Sequence, residues 1–245
     1  MKYAAILLAF GLGCSVTATA LADYEARAVV QAVNRAELSS ELAGRVTRLP
    51  YPMGEAFRKG DVLVGLDCQL YEAQASKVAA ELDAATVKLE SSTELRDLNA
   101  IGDMDVALAE SEYAQSKAEL AIARLNTRRC EIRAPWDGRV AEVRISRHEN
   151  VKQQQPLIVI VDHTLLEAEV VVPATWLAWL QTGQPLELKA EGLGVTANAR
   201  VSGISPAVDA VSQTVLLRAA VAPDAGLVPG ITATAIFRPT SPNDQ

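Results

Sequence analysis

Aromatic side chains are scarce in this chain. Phe, Tyr and Trp supply 4% of its 245 residues, so Ala, Val and Leu must fill whatever cores it has. That composition suits thin β-domains and Ala-rich helix seams better than a large enzyme core. Only two histidines occur, His148 and His163, neither beside Cys or carboxylates at metal-ligand spacing, which leaves both as surface or turn residues. Three methionines exclude a Met-rich copper relay. No Gly-x-Ser-x-Gly elbow frames a serine, so a hydrolase triad is not written here. The balance of 23 basic against 30 acidic residues, net −7 with no basic run, argues against nucleic acid as a partner. No internal stretch approaches the 18 apolar residues of a membrane helix. These absences point away from an enzyme, and no cofactor or metal is expected.

What is present is one motif written twice. At an offset of 94 positions Gly44-Arg45-Val46 meets Gly138-Arg139-Val140, Glu55 meets Glu149, Phe57 meets Val151, Arg58 meets Lys152, and Leu63-Val64 meets Leu157-Ile158. Each copy reads as short strands joined by a tight turn, too small to bury its own apolar face, so the two copies are expected to pack on each other. Between them, Cys68 to Glu131 has no strand character. A first helix is predicted from Asp67 as N-cap, with a heptad seam at Tyr71, Ala75, Val78, Leu82, Ala85, Leu89 and Ser92. Asn99 to Asp103 breaks it, and a second helix runs to about Arg128 with a spaced set at Leu108, Ser111, Ala118, Ile122 and Leu125. Thirty residues at 1.5 Å give a rod of roughly 45 Å with little core of its own. From Leu165 the pattern turns to β, with strands near Leu186–Ala190, Ala197–Ile204, Val215–Val221 and Thr232–Phe237. The loose Gly192-x-Gly194-x-x-Ala197 match lies among strands and reads as a barrel turn rather than a dinucleotide site.

Three ordered stretches carry a resemblance: GRVTRLPYPMGEAFRKGDVLVGLD from Gly44, IRAPWDGRVAEVRI from Ile132, and VSGISPAVDAVSQTVLLRAAV from Val201 with LVPGI from Leu227. Together they resemble the HlyD-type periplasmic adaptors, or membrane fusion proteins, and in particular the adaptor subunit of resistance-nodulation-division (RND) efflux pumps. The resemblance implies a mixed α and β, multi-module fold. A split lipoyl-like domain (barrel-sandwich hybrid) would comprise 36–67 and 132–162, with an inserted α-helical coiled-coil hairpin at 68–131. A small antiparallel β-barrel would comprise 23–35 and 163–238, with a loose tail at 239–245. The family's membrane-proximal fourth domain is expected to be missing.

The resemblance also implies a non-enzymatic role. The chain would link an inner-membrane transporter to an outer-membrane channel for small-molecule efflux, as a homo-oligomeric ring, commonly a hexamer. An RND partner is favoured over type I secretion, whose adaptors carry an N-terminal membrane helix and longer hairpins. The alternatives are an envelope binding or structural module without a pump, and an adaptor of another exporter class. A biotin or lipoate carrier is disfavoured, because the nearest lysine to the carrier turn, Lys77, lies in the helix pattern.

Site residues follow from the same comparison. The family docks its channel with an Arg, a Leu four residues on and a Ser eleven on. With Ile101-Gly102 at the tip these positions are Ser91, Leu95 and Gly102, so only Leu95 matches. The docking tip is expected at Leu95, Arg96, Leu98, Ile101 and Gly102. Glu55, Arg58, Glu149 and Lys152, in equivalent turns, could make a charged ring contact; the bland reading is two solvated turns. Trp176 and Trp179 read as a short helix plugging a barrel end, or as an exposed transporter contact. Cys68 and Cys130 stand at the two feet of the helical segment and are expected to form a disulfide, the alternative being two buried free thiols. Residues 1–22 read as a secretory signal cleaved after Ala22, placing the chain in the periplasm. The competing reading makes Cys14 a lipid attachment site, though Gly11 stands where that signal has Leu.

Overall fold

A computed structural model describes residues 23–223 and 226–238. The expected signal with Cys14, and the tail 239–245, lie outside the described residues. The elements in chain order are β1 (Tyr24–Ala32), β2 (Arg35–Ser39), β3 (Gly44–Arg48), β4 (Ala56–Phe57), β5 (Val62–Leu66), α1 (Gln69–Asp97), α2 (Asp103–Arg129), β6 (Glu131–Arg133), β7 (Gly138–Val143), β8 (Asn150–Val151), β9 (Pro156–Val161), β10 (Leu166–Pro173), a 3-10 turn (Ala174–Ala178), β11 (Pro185–Ala190), β12 (Thr196–Asp209), β13 (Thr214–Val221) and β14 (Thr232–Phe237). Two compact units result, one built on Val30–Glu167 and the other on Ala168–Leu227 with the segments up to Val29 and from Ile231.

The first unit realises the repeat. At the 94-residue offset β2, β3, β4 and β5 correspond to β6, β7, β8 and β9. The copies do not stack as separate halves; each sheet takes strands from both. One sheet has the order β2-β9-β7-β4 and the other β6-β5-β3-β8, which is the same order with the copies exchanged. The registers match as well: Gly44 faces Val151 and Arg45 faces Asn150, while Gly138 faces Phe57 and Arg139 faces Ala56. Single hydrogen bonds repeat too. Val46 N donates to Glu149 O at 2.8 Å and Val140 N to Glu55 O at 3.0 Å, and His148 N to Val46 O and Gly54 N to Val140 O, both at 2.8 Å. Between the sheets lie Val46, Phe57, Leu63, Val64, Val140, Val151, Leu157 and Ile158, all buried members of the repeated pairs.

Two helices leave this sandwich between β5 and β6. The α1 seam positions from Tyr71 to Ser92 are all half-buried except Ala85, which is fully buried. The α2 set is a correction. Leu108, Ser111, Ala118, Ile122 and Leu125 are all exposed, and the covered face is instead Val106, Ala109, Tyr113, Ser116, Leu120 and Ala123. The helix carries two apolar strips at heptad spacing, and spacing alone does not say which one meets α1. Helix α1 also begins one residue later than predicted, with Cys68 at the N-cap and Asp67 Oδ1 accepting from Gln69 N at 3.3 Å. Gly102, not Asp103, precedes α2, and Asp105 accepts from its N–H at 3.2 Å.

The second unit is a closed barrel in the order β1-β10-β13-β12-β11-β14. Six strands leave a narrow interior, and small inward residues fit it: Ala28, Ala168, Ala197, Ala199, Ala219, Ala233 and Ala235 are buried with Leu188, Leu217 and Phe237. Gly192 and Gly194, at φ 84° and 66°, form the turn between β11 and β12. Trp176 and Trp179 are half-buried in and beside the 3-10 turn, with the Trp176 ring 5.6 Å from Phe237 and 5.3 Å from Tyr24.

Candidate interaction surfaces

The feet of the helical pair are fastened at several points. Cys68 and Cys130 form a disulfide, with Cα atoms 5.8 Å apart and Cys130 buried in the sandwich core. Around it, Asp67 pairs with Arg45 at 2.9 Å, Arg129 with Glu41 at 2.7 Å, and Tyr71 Oη donates to Ala43 O at 3.2 Å. The charged contacts are exposed and individually weak; the covalent link and the buried Cys130 dominate. Midway along, Lys88 of α1 pairs with Glu112 of α2.

The far end is open and exposes large apolar side chains among charged ones. Leu95, Leu98 and Met104 are 43%, 76% and 74% exposed. Ile101 is half-buried and Gly102 exposed, both in the link between the helices, where Asn99 adopts φ 55°. Arg96 pairs with Asp97 at 2.9 Å, and this hydrogen bond, with the further negative charge of Asp103 and Glu110, raises its pKa. The five residues expected at the tip thus lie together at one end of the pair. The outward strip of α2 continues from there through Met104, Leu108, Ala118, Ile122 and Leu125, and α1 presents an outward strip at Leu70, Ala73, Ala80, Ala84 and Val87, small in its middle.

Glu55, Arg58, Glu149 and Lys152 are not joined to one another by any ion pair among the described residues. They sit in two equivalent turns. The Glu149 carboxylate accepts from Ser146 N at 2.8 Å, and Arg58 N donates to Asp61 Oδ2 as Lys152 N donates to Gln155 Oε1. Sequence reasoning missed the outer sheet faces, where two ion-pair triads lie. On one face Glu131 accepts from both Arg48 and Arg133. Partial burial pushes the Glu131 pKa up, but the two guanidinium groups outweigh it and the carboxyl is held below its usual range. On the other face Arg144 bridges Glu37 at 2.7 Å and Glu142 at 3.0 Å, and its hydrogen bond lowers the Glu142 pKa. Glu37 and Glu131 are one repeat apart, which is the signal that could have found both.

Comparison with known proteins agrees with this architecture. Residues 34–162 match the family model described as "CzcB-like, barrel-sandwich hybrid domain", and residues 167–241 match "CusB-like, beta-barrel domain". Nodulation protein NolF of Rhizobium meliloti is 27% identical over 213 residues, covering 81% of this chain and 58% of that one. Cobalt-zinc-cadmium resistance protein CzcB of Cupriavidus metallidurans is 28% identical over 182 residues, covering 68% and 35%. The chain therefore spans between about a third and little more than half the length of the curated relatives it matches. Among solved structures, a MacA-MexA chimera carrying the Pseudomonas aeruginosa MexA α-hairpin domain superposes with a TM-score of 0.76 at 22% identity, covering 89% of this chain and 81% of that one. The interlocked sandwich, the helices inserted into it and the small barrel place this chain in the membrane fusion protein family, the adaptors of efflux systems.

Proposed function

We propose that this chain is a periplasmic adaptor that joins an inner-membrane transporter, of the RND type, to an outer-membrane channel for efflux of small molecules. The observation that carries this reading is the helical pair. Its two feet are joined to each other by a disulfide whose Cys130 is buried in the sandwich core, and it exposes Leu95, Leu98 and Met104 at its far end. In this reading the pair works as a coiled-coil arm. Its seam holds the two helices together, and its apolar end meets the channel through Leu95, Arg96, Leu98, Ile101 and Gly102. The names of two relatives, resistance to cobalt, zinc and cadmium for CzcB and to fatty acids for FarA of Neisseria gonorrhoeae, support an export role.

Self-association is part of the same reading. The outward strip of α2 offers Leu108, Ile122 and Leu125, and that of α1 offers Ala73, Ala80 and Ala84, a knob-and-hole match between neighbouring copies in a homo-oligomeric ring. The test is crosslinking in cells from photo-reactive groups at Leu98 and Ile101, with co-purification from membranes. Recovery of a channel protein at the tip and a transporter elsewhere is the expected result, and Leu98→Asp should abolish the channel adduct while the protein stays folded. Recovery of neither partner favours an envelope module without a pump.

A further inference from the structure

The internal symmetry of the sandwich is broken by charge. Positions 37 and 131 are both Glu, but the equivalent positions 48 and 142 are Arg48 and Glu142. Arg133 and Arg144, in turn, stand where the other copy has Ser39 and Pro50. Together these differences give opposite triads on the outer faces of the two sheets: Arg48–Glu131–Arg133 on β6-β5-β3-β8, and Glu37–Arg144–Glu142 on β2-β9-β7-β4. Because the two sheets enclose the core between them, these faces point away from each other. All six side chains are partly or largely open to solvent, from 32% for Glu131 to 59% for Arg48. Two further arginines border the triads. Arg147 donates to Thr47 O on the first face, and Arg35 lies near Glu142 on the second.

Gly65 shows how the first triad is built. Strand β5 lies between β6 and β3, so Arg48 must cross it to reach Glu131. A Cβ on Gly65 would stand 3.0 Å from Arg48 Nε and 3.2 Å from Arg48 Cβ. The bare backbone lets the guanidinium lie across the strand. The equivalent position in the other sheet is Val159, whose side chain is buried.

We propose that these two faces are the two sides of a head-to-tail contact between copies of this chain, the Arg–Glu–Arg face of one copy against the Glu–Arg–Glu face of the next. This rests on the ring reading above and gives it a direction. The repeat makes the two faces alike in backbone, so shape alone would also allow each face to meet its own kind in a closed two-fold dimer. Like charges brought together oppose contact, so two arginine-flanked faces repel while faces of opposite charge pattern attract. Two different complementary patches on opposite sides generate a ring or a filament rather than a dimer. Exposed pairs add little affinity; they select which face meets which. The turns at Glu55/Arg58 and Glu149/Lys152 give no such direction, because both carry the same signs.

The test uses light scattering and native mass spectrometry of the full chain across concentration, with Arg48→Glu, Glu142→Arg, Arg48→Glu/Glu142→Arg and Arg48→Glu/Glu37→Arg. Each single reversal should weaken association about tenfold or more, the ratio that 1.4 kcal/mol gives. One of the two double variants should restore it. Where Arg48→Glu/Glu142→Arg does so, a mixture of the two single variants should also assemble, in alternation; where Arg48→Glu/Glu37→Arg does so, that mixture should stop at dimers, since only one contact of each chain remains usable. An intact disulfide by mass and an unchanged thermal melt establish that the variants fold. If wild type oligomerises and Arg48→Glu does so equally well, or neither double variant recovers, this contact is wrong and the ring stands. A wild-type chain that stays monomeric overturns both.

Discussion

Gly54 and His148 occupy the same place in the two halves of the sandwich and share one backbone conformation, φ 87° and 72°. The N–H of each donates to the carbonyl of the equivalent valine, Val140 and Val46. Gly60 and Gln154 form a second such pair at φ 89° and 63°. Left-handed backbone costs a residue with a Cβ about 1–2 kcal/mol, while glycine loses about 0.5–1 kcal/mol more to unfolded-chain entropy. His148→Gly and Gln154→Gly should therefore be neutral to stabilising by about 0.5 kcal/mol, and Gly54→Ala and Gly60→Ala destabilising by about 1 kcal/mol. Denaturant midpoints at constant slope read the difference.

The repeated Gly-Arg-Val motif predicts two outcomes for one substitution. A Cβ on Gly138 would lie 2.5 Å from Val161 O and 3.0 Å from Phe57 Cζ, whereas on Gly44 the nearest atom is 3.6 Å away. Gly138→Ala should cost about 1–3 kcal/mol by overpacking, and Gly44→Ala should be close to neutral. Equal losses at the two sites in a thermal melt would show that the glycines serve a shared backbone need instead.

The Cys68–Cys130 bond spans 62 residues of chain. On the chain-entropy account, closing a loop of that size stabilises by about 4 kcal/mol. Reduction, or the Cys68→Ser/Cys130→Ser double variant, should lower the unfolding midpoint accordingly while leaving both helices formed. Alkylation of the unreduced protein should add no mass at these cysteines.

Asp162 is buried beside the start of β2, where Asn34 Nδ2 donates to it at 3.2 Å and Thr164 N and Oγ1 donate at 2.9 and 2.7 Å. Burial raises its pKa, but these hydrogen bonds outweigh it and the net shift is downward. A carboxyl with a folded pKa below its unfolded value of about 3.9 contributes stability above that value and loses it as pH falls through the folded pKa. Asp162→Asn should cost about 1–2 kcal/mol at neutral pH. The gap to wild type should narrow as pH drops below about 4, and a gap independent of pH would assign the effect to shape alone.

Much of this architecture is written in plain residues. The repeated Gly-Arg-Val and Leu-Val or Leu-Ile pairs mark β3, β5, β7 and β9, because buried positions in both copies demand similar volumes. That the flanking strands β2 and β6 belong to the same repeat was not legible, since Glu37 and Glu131 with Leu38 and Ile132 are the only like pairs within them. The exchange of strands between sheets left no trace, as pairing partners are not encoded by local pattern. The α1 seam was legible because its other faces are charged or small. The α2 face was not, because Leu108, Ile122 and Leu125 form an equally regular strip facing solvent. His148 and Gln154 hide a conformation that only glycine advertises.

Interlocking has a kinetic consequence. Neither copy can complete a sheet until its counterpart, 94 residues away, has arrived, so the sandwich is built on distant pairings and should nucleate slowly. The helices are the opposite case, two local elements joined by the short link from Leu98 to Gly102. Once they zip together, the chain between β5 and β6 no longer behaves as a loose loop of about 60 residues, and its closure entropy has already been met. The inserted arm then delivers β5 and β6 side by side, and the segment that reaches outward in the finished protein also serves as the assembly jig for the domain that holds it.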